Sequence, residues 1–133
     1  MYKTGLILAA GEGKRMKSLR DSLGVPKQLL PLPNGETIAG RLATSLGKKC
    51  DQIICAIRSE ADREQFAQAL SVAGVPVKIH VKQNQIEYTE LAEIAQAFPL
   101  TGNVIQTNGD LIFPDGVVEG FIDRYGDCDY FVR

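Results

Sequence analysis

Gly5-Leu6-Ile7-Leu8-Ala9-Ala10-Gly11-Glu12-Gly13-Lys14-Arg15-Met16 runs from an apolar strand straight into a glycine-paired loop that carries cations. In an open α/β sheet, the carboxyl end of such a strand is where a ligand site opens. Ala9, Ala10, Gly11 and Gly13 are small enough for backbone N–H groups to approach a ligand with little or no side chain in the way. Successive amides in such a turn form a concavity matched to phosphate oxygens, and Lys14 and Arg15 place charge beside it. The stretch reads as a cradle for a polyphosphate.

Two other glycine loops fail at residues their chemistry requires. A P-loop needs Gly-x4-Gly-Lys-Ser/Thr, yet Leu8 occupies the first glycine position and Arg15 the hydroxyl position. A dinucleotide fingerprint needs a third glycine, and Met16 stands there, which argues against a dinucleotide-dependent oxidoreductase.

Charge is concentrated near the same loop. Between Gly11 and Leu30, Lys14, Arg15, Lys17, Arg20 and Lys27 face only Glu12 and Asp21, a local +3, so a net charge of −1 leaves −4 for the remainder. A small basic focus on an acidic body suits a compact anion; a nucleic-acid track would need a stripe of charge. With 133 residues the chain is about one domain. No apolar run approaches the roughly 20 residues of a membrane span, and the first strand lacks a signal peptide's cleavage region. Cys50, Cys55 and Cys128 are odd in number without metal-ligand spacing, as expected of reduced, partly buried thiols in a cytoplasmic protein.

Strand and helix patterns alternate along the chain. Strands are expected at Tyr2–Ala9, Gln52–Ile57, Val77–Val81, Asn103–Thr107 and from Cys128 to Val132. The near-continuous apolar first strand suits a sheet covered on both faces. Helices are expected from near Thr37 (Ile38, Leu42 and Leu46 on one face), over Glu60–Ala73 (Phe66, Leu70 and Ala73 inward), and from about Thr89 to Phe98. In that third helix Leu91, Ile94, Ala95 and Phe98 form the inward stripe. Asp115 is expected to cap a last helix running through Val117, Val118, Phe121, Ile122 and Tyr125. The pattern predicts a three-layer α/β/α, Rossmann-like fold with a mostly parallel sheet and helices on both faces. The loop from Gly11 to about Asn34 is long for a compact domain, and such loops are usually functional.

Two further segments point to the same ligand. In Pro26-Lys27-Gln28-Leu29-Leu30-Pro31-Leu32 the prolines stiffen the backbone around Lys27, a point charge suited to non-bridging phosphate oxygens, although the segment alone reads rather as a surface lysine in a proline-rich loop. Asn108-Gly109-Asp110 ends a strand with a carboxylate that suits Mg2+, and it is also ordinary turn chemistry. The lone histidine, His80, lies in strand-like sequence and reads as structural.

Taken in order, Leu-Ala-Ala-Gly-x-Gly-x-Arg-Met, Pro-Lys-x-Leu-Leu-Pro-Leu and strand-Gly-Asp resemble the nucleotidyltransferases that activate sugar phosphates, a family including the sugar-phosphate nucleotidylyltransferases and MobA-like NTP transferases. The resemblance implies a Mg2+-dependent transfer of a nucleoside monophosphate from a nucleoside triphosphate to a small phosphorylated acceptor, such as a sugar 1-phosphate, with release of pyrophosphate. It implies that Leu8, Ala9, Ala10, Gly11, Gly13, Lys14 and Gly109 line the nucleotide, that Arg15 and Lys27 stabilise the leaving pyrophosphate, and that Asp110 binds the metal. Gln83 and Thr89 match the family's base-reading spacing, but Tyr88 replaces the usual glycine, so the base stays open.

Family members continue through acceptor-binding strands and a second metal ligand that have no counterpart here. The chain is therefore expected to be the amino-terminal portion of a longer domain or a short form. By itself it should turn over poorly, and its exposed sheet edge could pair with another copy. The competing reading is a non-catalytic nucleotide-binding or assembly module derived from the same fold.

Overall fold

Hydrophobic patterning resolves into a four-stranded sheet in a computed structural model that describes residues 2–10, 26–83, 90–98, 100, 102–109 and 111–126. Strands β1 (Lys3–Ala9), β2 (Gln52–Ile57), β3 (Val77–Val81) and β4 (Asn103–Asn108) alternate with helices α1 (Ile38–Gly47), α2 (Arg63–Leu70), α3 (Glu90–Ala97) and α4 (Val117–Tyr125). Every strand pair is parallel and the sheet order is β3-β2-β1-β4. The chain thus builds outward from β1 to β3, then returns to the other side of β1 for β4. The strand expected over Cys128–Val132, and Cys128 itself, lie outside the described residues.

Burial explains why the inner strands are so apolar. All six residues of β2 are buried, and β1 is buried from Thr4 to Ile7. Their side chains divide between two cores. Ile7, Ala9, Ile53, Cys55 and Ile57 meet Leu42, Leu46, Phe66, Leu70, Val118 and Ile122, so α1, α2 and α4 cover one face. Leu6, Ile54 and Ala56 meet Ile94, with Phe98 and Leu100 beside them, so α3 covers the other. Helices on both faces and a parallel sheet match the expected α/β/α architecture.

Helix ends obey local chemistry, with three corrections to the sequence reading. Thr37 caps α1, its Oγ1 accepting from the Gly40 N–H at 2.9 Å. The helix expected over Glu60–Ala73 is instead a single 3-10 turn at Glu60–Asp62, helix α2, and another 3-10 turn at Ser71–Ala73. Ser59 Oγ accepts from the Ala61 N–H at 3.3 Å and so starts a tight turn, while Gly74 at φ +77° ends the run. Asp115 does not cap α4; Gly116 holds that position at φ +81°. The Asp115 carboxylate accepts from Arg41 Nη2 at 2.7 Å, and the same guanidinium holds the Phe113 carbonyl at 2.8 Å. A charge-assisted bond to arginine has displaced the weaker bond to a helix N–H.

The third correction concerns α3. Ile94 is fully buried and Phe98 half-buried as expected, but Ala95 is exposed. Glu93 turns inward instead, with only 13% of its side chain exposed.

Close packing of α1 against the turn after α2 depends on Gly47. A Cβ there would collide with the Ala73 carbonyl, whereas a Cβ at Gly120 on α4 would meet nothing within 4 Å. Alanine has about 1 kcal/mol more helix propensity than glycine, which overpacking costs of roughly 1–3 kcal/mol exceed. Gly47→Ala is therefore expected to lower the urea midpoint and Gly120→Ala to raise it slightly. Equal midpoints for the two variants would contradict this packing.

Candidate functional site at the carboxyl end of the sheet

Where the strand order reverses, β1 and β4 lie side by side, and their carboxyl ends form the crevice in which open α/β sheets bind ligands. The junction is tight. Leu8 is in register with Asn108, and the Gly109 N–H donates to the Leu8 carbonyl at 2.8 Å. A Cβ on Gly109 would stand 3.1 Å from both Ala9 Cβ and Ile7 Cγ2 and 3.2 Å from the Leu8 oxygen. Gly109, assigned to nucleotide binding from sequence, thus has a packing role of its own: it seats the end of β4 on β1.

Ala9 and Ala10 are almost fully buried, at 5% and 2% exposure, and Leu8 is half-buried. Ala9 belongs to the core under α1 and Ala10 to the core under α3. Their small size therefore lets the two cores close at the strand end. Gly11, Gly13, Lys14, Arg15, Thr89 and Asp110 lie outside the described residues.

Lys27 opens a 3-10 turn, Lys27–Leu29, closed by the Leu29 N–H on the Pro26 carbonyl at 3.0 Å. Gln28 and Leu29 are buried, and Leu29 joins the core that contains Ile7 and Ala9. The segment is then tied to the start of α1 by the Ile38 N–H on the Leu30 carbonyl at 3.2 Å and by a bridge between Pro31 and Thr37. Half-buried Lys27 is consequently carried by an anchored turn, as its flanking prolines suggested.

Gln83 follows β3 with both its main chain and its side chain held. Its N–H donates to Glu93 Oε1 at 2.7 Å, and its Nε2 donates to the Val81 carbonyl at 2.8 Å. His80 Nε2 lies 2.9 Å from the same Glu93 oxygen, and the His80 ring stands edge-on to Phe98. The histidine is structural, as read from the sequence.

Two cations were missed. Arg58 directly follows β2, and its Nη1 lies 3.5 Å from the Ala10 carbonyl, at the start of the glycine loop. Lys82 directly follows β3, is 9% exposed, and its N–H continues the ladder onto Ile57 at 2.8 Å. Each is the first cation after an apolar strand, and that position was the available signal.

Neither described thiol has the lowered pKa of an activated nucleophile. Burial, aided by the Asp51 charge and partly offset by Lys3, pushes the Cys50 thiol up to about 11. Burial alone pushes Cys55 up to about 12. Among the described residues no group of three or more His, Cys, Asp or Glu could hold a metal, and no helix is long and apolar enough to cross a membrane.

Parallel strands in the order β3-β2-β1-β4 with helices on both faces define a doubly wound α/β domain. Its sequence matches the MobA-like NTP transferase domain over residues 5–132, and the chain belongs to that family. It is 33% identical over 110 residues to the bifunctional protein GlmU of Leifsonia xyli subsp. xyli, covering 80% of this chain and 21% of that protein. The inositol-1-phosphate CTP transferase of T. maritima superposes with a TM-score of 0.69 at 20% identity, over 85% of this chain and 45% of that one. A putative glucose-1-phosphate thymidylyltransferase from Bacillus anthracis gives 0.72 at 21% identity, over 92% and 51%. At these identities the two structures show a shared fold. The chain spans about a fifth of the curated relative's length and about half of each structural neighbour's.

The raised thiols have a stability consequence. A buried thiol stays protonated in the folded state above the 9.0 at which an exposed one ionises, so its contribution is intact below pH 9 and is lost as pH rises toward 12. Cys55→Ala should therefore unfold with a shallower loss of stability between pH 9 and 12 than the parent. The difference in slope is up to about 1.4 kcal/mol per pH unit, one proton's worth. Identical slopes in urea titrations would contradict the assignment.

Proposed function

We propose that this domain serves Mg2+-dependent transfer of a nucleoside monophosphate from a nucleoside triphosphate to a small phosphorylated acceptor, such as a sugar 1-phosphate. One observation carries the reading: Gly109, immediately before Asp110, is seated against Leu8 and Ala9, immediately before the glycine loop. That contact supports the reading because it sets the strand ends that lead into both segments side by side.

In the reaction, an acceptor phosphate oxygen attacks the α-phosphorus, a new P–O bond forms, and the bond to the β-phosphate oxygen breaks. Pyrophosphate leaves with the bonding electron pair. Such chemistry needs positioning and charge neutralisation more than an acid–base residue. Backbone amides from Ala10 to Gly13 would hold phosphate oxygens, with Lys14 beside them. Arg15 and Lys27 would neutralise the charge that gathers on the leaving pyrophosphate. Gln83 and Thr89 would face the base, and Arg58 and Lys82 would add to the field that draws the anion in.

A hard cation fits this reading, because the donor it assigns is a carboxylate oxygen. His80 is engaged with Glu93, Cys55 is held protonated by burial, and the carboxylate of Asp110 follows Gly109. Oxygen donors combined with phosphate are the environment Mg2+ prefers. Bound there, Mg2+ would withdraw negative charge from the phosphate oxygens; Asp110 would hold it.

Calorimetric titration tests this reading. The chain should bind a nucleoside triphosphate with Mg2+ more tightly than NAD or a monophosphate. Arg15→Ala and Lys27→Ala should each weaken that binding at least about tenfold, since a hydrogen bond to a charged group contributes about 1.5–3 kcal/mol. Asp110→Asn should abolish the Mg2+ dependence without lowering stability by more than about 1 kcal/mol. Binding of NAD with no heat from any triphosphate would refute the proposal.

A further inference from the structure

Helix α3 places a carboxylate where its apolar pattern leaves room for none. The Glu93 and His80 side chains are only 13% and 9% exposed, and Glu93 Oε1 meets two donors from the end of β3. One is the Gln83 main-chain N–H at 2.7 Å, the other His80 Nε2 at 2.9 Å. The His80 ring is itself seated edge-on against Phe98, with centroids 6.3 Å apart and planes at 83°. A single oxygen thus ties the strand end to the helix on either side of the intervening segment.

The Gln83 carboxamide is held as well. Its partner, the Val81 oxygen at 2.8 Å, is a carbonyl and can only accept, so the NH2 group must face it and Oε1 must face away. A carboxamide that rotates freely presents a donor or an acceptor at the same point and distinguishes poorly between bases. Fixed in this way it presents one pattern.

We infer that Glu93 is a positioning residue for base discrimination: it fixes the main chain of Gln83, so that the carboxamide meets a nucleobase in one orientation set before binding. The inference rests on the reading of Gln83 as a base contact. Preorganisation of this kind reduces the ordering cost of binding and sharpens the choice between bases, while leaving the phosphates to other residues.

The test titrates the chain with ATP, CTP, GTP, UTP, thymidine triphosphate and inorganic tripolyphosphate in the presence of Mg2+. The parent should prefer one or a few bases. Glu93→Ala should shrink that preference about tenfold, the effect of one discriminating hydrogen bond, while tripolyphosphate binds as before. Glu93→Gln keeps an oxygen at the same reach and should retain the preference. Glu93→Asp keeps the charge but is one methylene shorter; it should lose the preference, and it decides the matter if the alanine variant does not fold. Unchanged discrimination in the alanine or aspartate variant would overturn the inference. So would a parallel loss of tripolyphosphate affinity, or failure of both variants to fold, either of which would make Glu93 a general structural residue. A parent that binds all five nucleotides alike would overturn the inference but leave the triphosphate reading standing. A parent that binds none would remove both.

Discussion

The hydrogen bond from the Gly109 N–H to the Leu8 carbonyl, 2.8 Å long, joins the two strands on which the rest of the crevice is built. Glycine at 109 makes room for it: a Cβ there would stand tightly, at 3.1–3.2 Å, against Ala9, Ile7 and the Leu8 oxygen. β1 is the sheet's interior strand at the point where the order reverses, so its carboxyl end is flanked by β2 on one side and β4 on the other. Small residues therefore meet on both sides of the junction. Ala9 and Ala10 are small because two cores close around them, and Gly109 because a backbone approaches them. The alanines that look like part of a ligand cradle are first of all packing residues.

Anchoring of the surrounding cations follows from the same economy of space. Lys27 rides on a turn whose next residues, Gln28 and Leu29, are buried against the core under α1. Arg58 and Lys82 each follow a strand directly, so the ladder sets their backbones with no intervening loop. Positive charge held by rigid elements costs little further ordering when an anion binds, whereas charge on a free loop must be ordered at that moment. Arg41 shows how such order spreads. Its guanidinium spans the Phe113 carbonyl and the Asp115 carboxylate and so fixes the segment that leads from the crevice into α4.

Legibility in the sequence tracked how local the physics is. β2 and β3 match their expected bounds: β2 is an almost wholly apolar run, and β3 alternates apolar with polar residues directly after Pro76. The α/β/α layering followed from alternating periods. The errors arose where a long-range partner competed with a local preference. Asp115 has the right chemistry and position for a cap, but a guanidinium reaching from α1 takes its carboxylate. Ser59 and Gly74 convert the ends of a regular-looking helix into 3-10 turns through bonds that periodicity does not register. Arg58 and Lys82 escaped notice because a single cation after a strand carries no motif; only the register beside Ala10 and Ile57 gives them a place.

The exchange between Ala95 and Glu93 teaches most about the site. An inward stripe on a helix is a statement about solvation, so a pattern built on apolar residues will choose alanine over glutamate at a boundary position. That preference reverses when the facing strand offers donors. His80 and the Gln83 N–H are polar groups on a surface that α3 must cover, and leaving them without an acceptor costs more than turning an alanine to solvent. The helix therefore rotates its carboxylate toward β3. A buried polar pair of this kind adds little net stability, but it fixes one rotation of α3 and one path for the chain leaving β3. The edge of the crevice is thus set by a polar contact, whereas its floor is set by the packing of Gly109 on β1.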